Sequence, residues 1–164
     1  MPVDTSKIDR RKVRYASPAD LHADVAKLVA ADRAGTLTAC GNWTLGQALG
    51  HLATWINFAY DGYPIKPPFF VKWILKGRKD KYLHGSLPAG VRIPRVKDGT
   101  LGIDVLPTDE GLRRLNAAWS RLEAAAPTIE NPIFGPLRHD EWQKMHLRHA
   151  ELHLGCFSAE TRGI

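Results

Sequence analysis

Cysteine is nearly absent: Cys40 and Cys156 are the two in 164 residues. They stand far apart and outside any Cys-x-x-Cys spacing, which argues against a disulfide scaffold or a zinc finger. Long apolar runs are missing too. No stretch approaches the roughly 18 apolar residues of a membrane-spanning helix, and the opening MPVDTSK lacks the apolar core of a signal peptide. A soluble, cytoplasmic protein is the expectation. There is no Ser-His-Asp spacing, no glycine-rich phosphate loop and no paired-carboxylate motif, and the short runs ending at Trp43 and Asp104 are too generic to mark a site.

Acidic residues are outnumbered 17 to 23 by Lys and Arg, and the excess is uneven. Residues 64–98 hold nine Lys or Arg against two Asp, net +7, and residues 1–14 five against two, net +3. A basic stretch of this kind suits an anionic small substrate or an anionic lipid surface, or is a solvated loop. No recognisable nucleic-acid module accompanies it, so no nucleic-acid partner is expected.

What is present reads as helix. A length of 164 residues with 44% hydrophobic content supports one domain, residues 1–164, with a real core. Ser17 before Pro18 starts a first helix over about 18–34, with Leu21, Val25, Leu28 and Val29 at helical spacing. Thr44 with Gln47 forms a capping box for a second, ending near Asp61 and Gly62. A third opens at Pro107 and Thr108, carries Leu112, Leu115, Trp119 and Leu122 on one stripe, and stops at Ala126 and Pro127. A fourth spans about 138–160. The expected architecture is all-α, a four-helix bundle with one long, basic crossover insertion, about 64–106, between helices two and three. Residues 69–76 of that insertion read as a short amphipathic helix and residues 87–99 as irregular chain.

His146, His149 and His153 fall within about 60° of one another on the fourth helix, opposite Asp140, Glu141, Lys144, Arg148 and Glu151. They face the core with Trp142 and Phe157. Burying three imidazoles without partners is costly, and His149 and His153 lie one turn apart, so both can reach one ion. A metal site and a histidine-lined core both answer to this pattern.

The segment GNWTLGQALGHLA, residues 41–53 with His51, and the later HAELHLGCF, residues 149–157, resemble the DinB/YfiT-like metalloenzyme superfamily, and more narrowly one of its branches of unknown function. The resemblance spans nearly the whole chain. It implies a DinB/YfiT-like four-helix bundle in which one histidine of helix two and a His-x3-His pair of the last helix hold a divalent metal. Carried over residue by residue, the ligands are His51, His149 and His153. Three neutral imidazoles suit zinc, nickel, iron or copper and leave coordination positions open.

Four neighbours carry more than one reading each. His146 is a fourth ligand, a proton shuttle or, preferably, a supporting residue beside the ligands. Gln47 can hydrogen-bond a water at the metal, though its capping role already explains it. Trp55, like Trp142, walls a substrate pocket or fills core. Cys156 stands where the superfamily commonly shows Gln; it is a thiolate ligand, a nucleophile or a small buried hydrophobe. In the insertion, Lys72, Lys76 and Arg78 are candidates for holding an anionic ligand, with residues 66–82 as a lid. Characterised members of the superfamily include metal-dependent transferases and isomerases that use low-molecular-weight thiols. The resemblance therefore implies a thiol-dependent S-transferase first and metal-assisted hydrolysis second. A non-catalytic ligand- or metal-binding bundle is the reading from a different class, and a homodimer through a helix face would be unsurprising.

Overall fold

The structure, a computed structural model, describes residues 3–4, 7–67 and 69–159. Four long helices carry it: α1, Pro18–Arg33; α2, Leu45–Asp61; α5, Thr108–Ala124; and α6, His139–Leu154. Two short ones, α3 (Phe69–Lys76) and α4 (Lys79–His84), and a 3-10 turn at Lys97–Gly99 lie between α2 and α5. β1 (Thr38–Ala39) and β2 (Phe157–Ser158) form a two-residue antiparallel ladder. The chain is mostly helical, and no helix among the described residues is long and apolar enough to cross a membrane.

The helix starts follow local chemistry. Ser17 accepts from the Asp20 amide and Asp20 accepts in return from the Ser17 backbone, a capping box ahead of Pro18. Thr44 and Gln47 do the same for α2. Each such cap stabilises its helix by about 1 kcal/mol. The apolar stripes then meet: Leu21, Val25 and Leu28 of α1, Leu45, Leu49, Leu52 and Ile56 of α2, Leu115, Trp119 and Leu122 of α5, and Trp142, Leu147 and Leu154 of α6 form one core.

Close approach between α2 and α5 rests on two glycines. A Cβ on Gly111 would stand 2.6 Å from the Gly46 carbonyl oxygen and 3.1 Å from its Cα, and one on Gly46 would meet the Leu106 carbonyl oxygen at 2.1 Å. Only residues without a side chain admit this contact.

Three expectations needed correction. The last helix stops at Leu154 instead of running to about 160, because Gly155 turns the chain there and its carbonyl accepts from the Arg11 amide at 2.8 Å. Glu141 and Arg148, expected on the solvent face of α6, are buried at 5% and 4% exposure. Other segments cover that face: Lys79 of α4 reaches Glu141 at 2.8 Å, while Arg148 pairs with Glu151 at 3.0 Å and donates to the Tyr15 carbonyl. A helical wheel assigns sides to one helix, but it does not say what the rest of the chain lays over them. Helix α4 and the β1–β2 ladder were not anticipated either.

Candidate metal centre

His51 sits midway along α2, and His149 and His153 occupy successive turns of α6. The β1–β2 ladder ties the chain just before α2 to the chain just after α6, and the Cys40 amide adds a bond to the Cys156 carbonyl at 2.9 Å. With those ends joined, the three imidazoles converge. His51 Nε2 lies 3.2 Å from His149 Nε2, His153 Nε2 lies 3.1 Å from the same atom, and the ligand atoms all fall within 4.8 Å of one another.

A strap that the sequence did not reveal sets the orientation of His51. Residues 101–107 run back along α2. The Leu101 carbonyl accepts from His51 Nδ1 at 2.8 Å, the Ile103 carbonyl accepts from Gln47 Nε2 at 3.3 Å, and Leu106 packs over Gly46 and Gly50. Gly102, at φ +71°, lies so close to α2 that a Cβ would meet Thr54 at 2.8 Å. Because Nδ1 of His51 carries the proton donated to Leu101, its Nε2 lone pair is the one directed at His149. An outer hydrogen bond that fixes tautomer and ring plane in this way is the usual support of a metal-ligating histidine.

The electrostatics keep the ligands neutral. Burial lowers His51 to about 4, against the hydrogen bond it donates to the Leu101 carbonyl, which raises it. Burial also holds His149 and His153 well below the ordinary imidazole value, with neighbouring histidines pushing the same way, and with Arg10 adding to the effect at His153. Both retain some surface, and both line the cavity described below. Free imidazole lone pairs are therefore available at neutral pH.

The donor set fits a metal. Two imidazole nitrogens on a tetrahedral ion with bonds of about 2.0–2.1 Å stand about 3.3 Å apart, close to the 3.2 and 3.1 Å that separate His149 Nε2 from His51 Nε2 and from His153 Nε2. The group of buried His51 and half-buried His149 and His153 could hold a metal ion.

The group borders a cavity of about 690 Å³, within the range of small-molecule sites. Trp43 is the residue most clearly missed by sequence reading. Its indole stacks on His153, centroids 5.0 Å apart and planes 14° apart, and touches His51 at 4.9 Å. It follows a loop rather than sitting in a helical stripe, so no periodicity marks it. Trp55 lies 5.9 Å from the His149 ring and lines the same cavity, with its indole nitrogen buried and unpartnered.

The other candidates fall as follows. His146 is buried, stacked on Trp142 with ring planes 13° apart, borders the cavity and leaves Nε2 without a partner; burial lowers it to about 3. Gln47 is fully engaged, its oxygen by the Thr44 amide and its nitrogen by Ile103. Cys156 lies past the end of α6, in the turn into β2 rather than on the helix, and borders the cavity as a free thiol. Of the basic trio, Arg78 is exposed ahead of α4 and is not among the cavity's lining residues. The side chains of Lys72 and Lys76 lie outside the described residues. The cations that do line the cavity are Arg10 and Arg92, beside Asp4 and Asp98.

A helical fold whose second and last long helices bring three histidines to one cavity defines a candidate metalloprotein. The chain belongs to the family described as a protein of unknown function, DUF1569, which it matches over residues 7–160. No curated protein and no solved structure matches it.

Proposed function

We propose that α1, α2, α5 and α6 form a single DinB/YfiT-like four-helix bundle, with residues 64–106 as its insertion, and that the protein is a divalent-metal enzyme. His51, His149 and His153 would hold zinc, nickel or iron. The observation that carries this reading is the convergence of three Nε2 atoms, two of whose separations, 3.2 and 3.1 Å, suit one ion, on a cavity large enough for a small molecule.

A divalent ion on three imidazoles supplies Lewis acidity, lowering the pKa of an incoming thiol or water enough to make a nucleophile at neutral pH. The chain's own residues do the rest. Leu101 keeps the His51 ring in its ligating tautomer. Trp43 and Trp55 flank the ligands, exclude water and offer flat surfaces to a substrate. Arg10 and Arg92 offer guanidinium groups to a polar substituent on that substrate, with Asp4 and Asp98 balancing their charge. His146, lowered to about 3, is too weak a base to carry a proton at neutral pH, so the proton lost by the nucleophile passes to solvent.

The reaction proposed is thiol-dependent S-transfer, in which the sulfur of a low-molecular-weight thiol bonds to an electrophilic carbon of the substrate as that carbon's bond to its leaving group breaks and the leaving group departs to solvent with the electron pair, with metal-assisted hydrolysis as the second reading. Cys156 is not required as the nucleophile. The test combines elemental analysis of protein purified without a metal-affinity tag with a thiol-conjugation assay in the presence of each metal. We expect Cys156→Ala to retain most turnover and His153→Ala to abolish it. Loss of turnover in Cys156→Ala at normal metal content would transfer the nucleophile to the protein. Full metal content without turnover of any thiol conjugate or hydrolysable substrate would favour the binding-protein reading.

A further inference from the structure

Helix α3 has two unlike faces. Leu75 lines the cavity, while Phe69 and Trp73, one turn apart, are 84% and 82% exposed, with Phe70 at 53%. On a helical wheel Leu75 stands about 140° from the mean direction of Phe69 and Trp73. Leu75 thus lies on a different side of the helix from Phe69 and Trp73, and the aromatic side is left in water. Phe69 and Phe70 touch, ring centroids 6.0 Å apart, so the exposed rings make a patch rather than scattered points. A contiguous aromatic patch of this kind marks an interaction site.

The charge around the patch selects the occupant. Between residues 66 and 81 the sequence has Lys66, Lys72, Lys76, Arg78, Lys79 and Lys81 against Asp80 alone. Lys79 is held by Glu141, but Lys66, Arg78 and Lys81 are exposed. Trp and Phe projecting from a short helix among Lys and Arg is the composition that seats in the headgroup region of a bilayer. The rings enter the acyl boundary, and the cations meet anionic lipid.

We propose that the aromatic face of α3 docks the protein onto an anionic membrane surface, with Phe69, Phe70 and Trp73 inserted and Lys66 and Arg78 at the headgroups. The attachment is peripheral and reversible. It is independent of the metal reading, because none of these five residues touches the histidine group.

The test is co-sedimentation of the full chain with vesicles of phosphatidylcholine, with and without phosphatidylserine, read alongside tryptophan emission. We expect binding to the phosphatidylserine vesicles only, weakening as salt rises, and a blue shift of emission from Trp73. Trp73→Phe should keep binding but lose the shift. Trp73→Ser should lower partitioning about ten-fold, and removal of each of Lys66 and Arg78 as Ser about five-fold. Because these positions are exposed, the variants should keep wild-type melting and metal content. Binding unaffected by Trp73→Ser, or equal on neutral vesicles, overturns the proposal. So does a concentration-dependent dimer that Trp73→Ser dissolves in the absence of any vesicle binding, since the occupant would then be a second copy.

Discussion

If the three histidines hold an ion, removing it should cost stability by an amount the site geometry lets one work out. The ligands already lie together, His149 Nε2 being 3.2 Å from His51 Nε2 and 3.1 Å from His153 Nε2, and burial keeps them neutral at pH 7, with His51 lowered to about 4. Neither large rearrangement nor proton release then opposes binding, and nearly the whole intrinsic affinity appears as stabilisation of the folded chain. A ligand at about 100 times its dissociation constant adds about 2.7 kcal/mol. For a chain of this size each kcal/mol moves the melting temperature by about 2–4 °C, so metal-loaded protein should melt roughly 5–11 °C above chelator-treated protein. His149 is the decisive position, because its Nε2 is the atom common to both close contacts. His149→Ala should remove the metal-dependent shift entirely and His51→Ala or His153→Ala should remove most of it, whereas His146→Ala should leave it. The assay is calorimetry of metal-stripped protein titrated with zinc, nickel or iron(II), with metal content measured on the same samples. Identical melting of loaded and stripped wild type, or a shift that survives in the His149→Ala/His153→Ala double variant, refutes the assignment.

Buried His146 has a folded value lowered to about 3, against about 6.5 unfolded, so the unfolded chain binds the extra proton. Stability should therefore fall as pH drops from about 6.5 toward 3, by up to about 1.4 kcal/mol per pH unit for this residue; His146→Leu should lose that slope in urea unfolding at pH 7.5 and 4.5, and equal slopes would contradict it. Gly111→Ala must push α5 off the Gly46 backbone, at about 1–3 kcal/mol; an unchanged melting temperature would mean the helices do not cross so closely. Gln47→Ala loses half of a capping box and its bond to Ile103, for about 1–2 kcal/mol, and should retain its metal; loss of metal at preserved fold would show that Gln47 acts at the ion after all.

The long helices were legible because their signals are local. Ser17 and Thr44 cap within three residues, and the apolar stripes of α1 and α5 repeat within one helix. The His149 and His153 pair was legible for the same reason, being one turn apart. What escaped depends on contacts distant in sequence. Leu101 and His51 are fifty positions apart, and a carbonyl oxygen belongs to every residue, so no side-chain identity marks the one that holds His51. Trp43 is placed on His153 by the β1–β2 ladder, which is two residues long and has no alternation to read. Arg10, from the opening segment that the sequence showed only as net +3, reaches the cavity, and the neighbouring Arg11 is anchored by the Gly155 carbonyl and by paired bonds to Asp24 at 2.8 and 2.7 Å. The basic stretch of the insertion was visible as charge, but charge alone did not tell which side of α3 faces the cavity.

The packing pattern bears on why such a site would be more than decoration. Helix α2 packs far more extensively on α5 than on α6, yet the ligands are divided between α2 and α6. The distance from His51 to the other two is therefore set indirectly, by the β1–β2 ladder at one end, by the strap 101–107 that turns the His51 ring, and by the N-terminal segment that covers the outer side of α6 through Tyr15, Arg14 and Glu151. An ion bridging His51 to His149 and His153 would add a direct cross-link where side-chain packing is thin. Such an ion would close one wall of the cavity, so the coordination that organises the active surface and the coordination that secures α6 would be the same bonds. A site built this way would couple ligand exchange at the metal to the set of α6, because weakening one ligand would loosen the cross-link between α6 and α2, a pair far less extensively packed than α2 and α5.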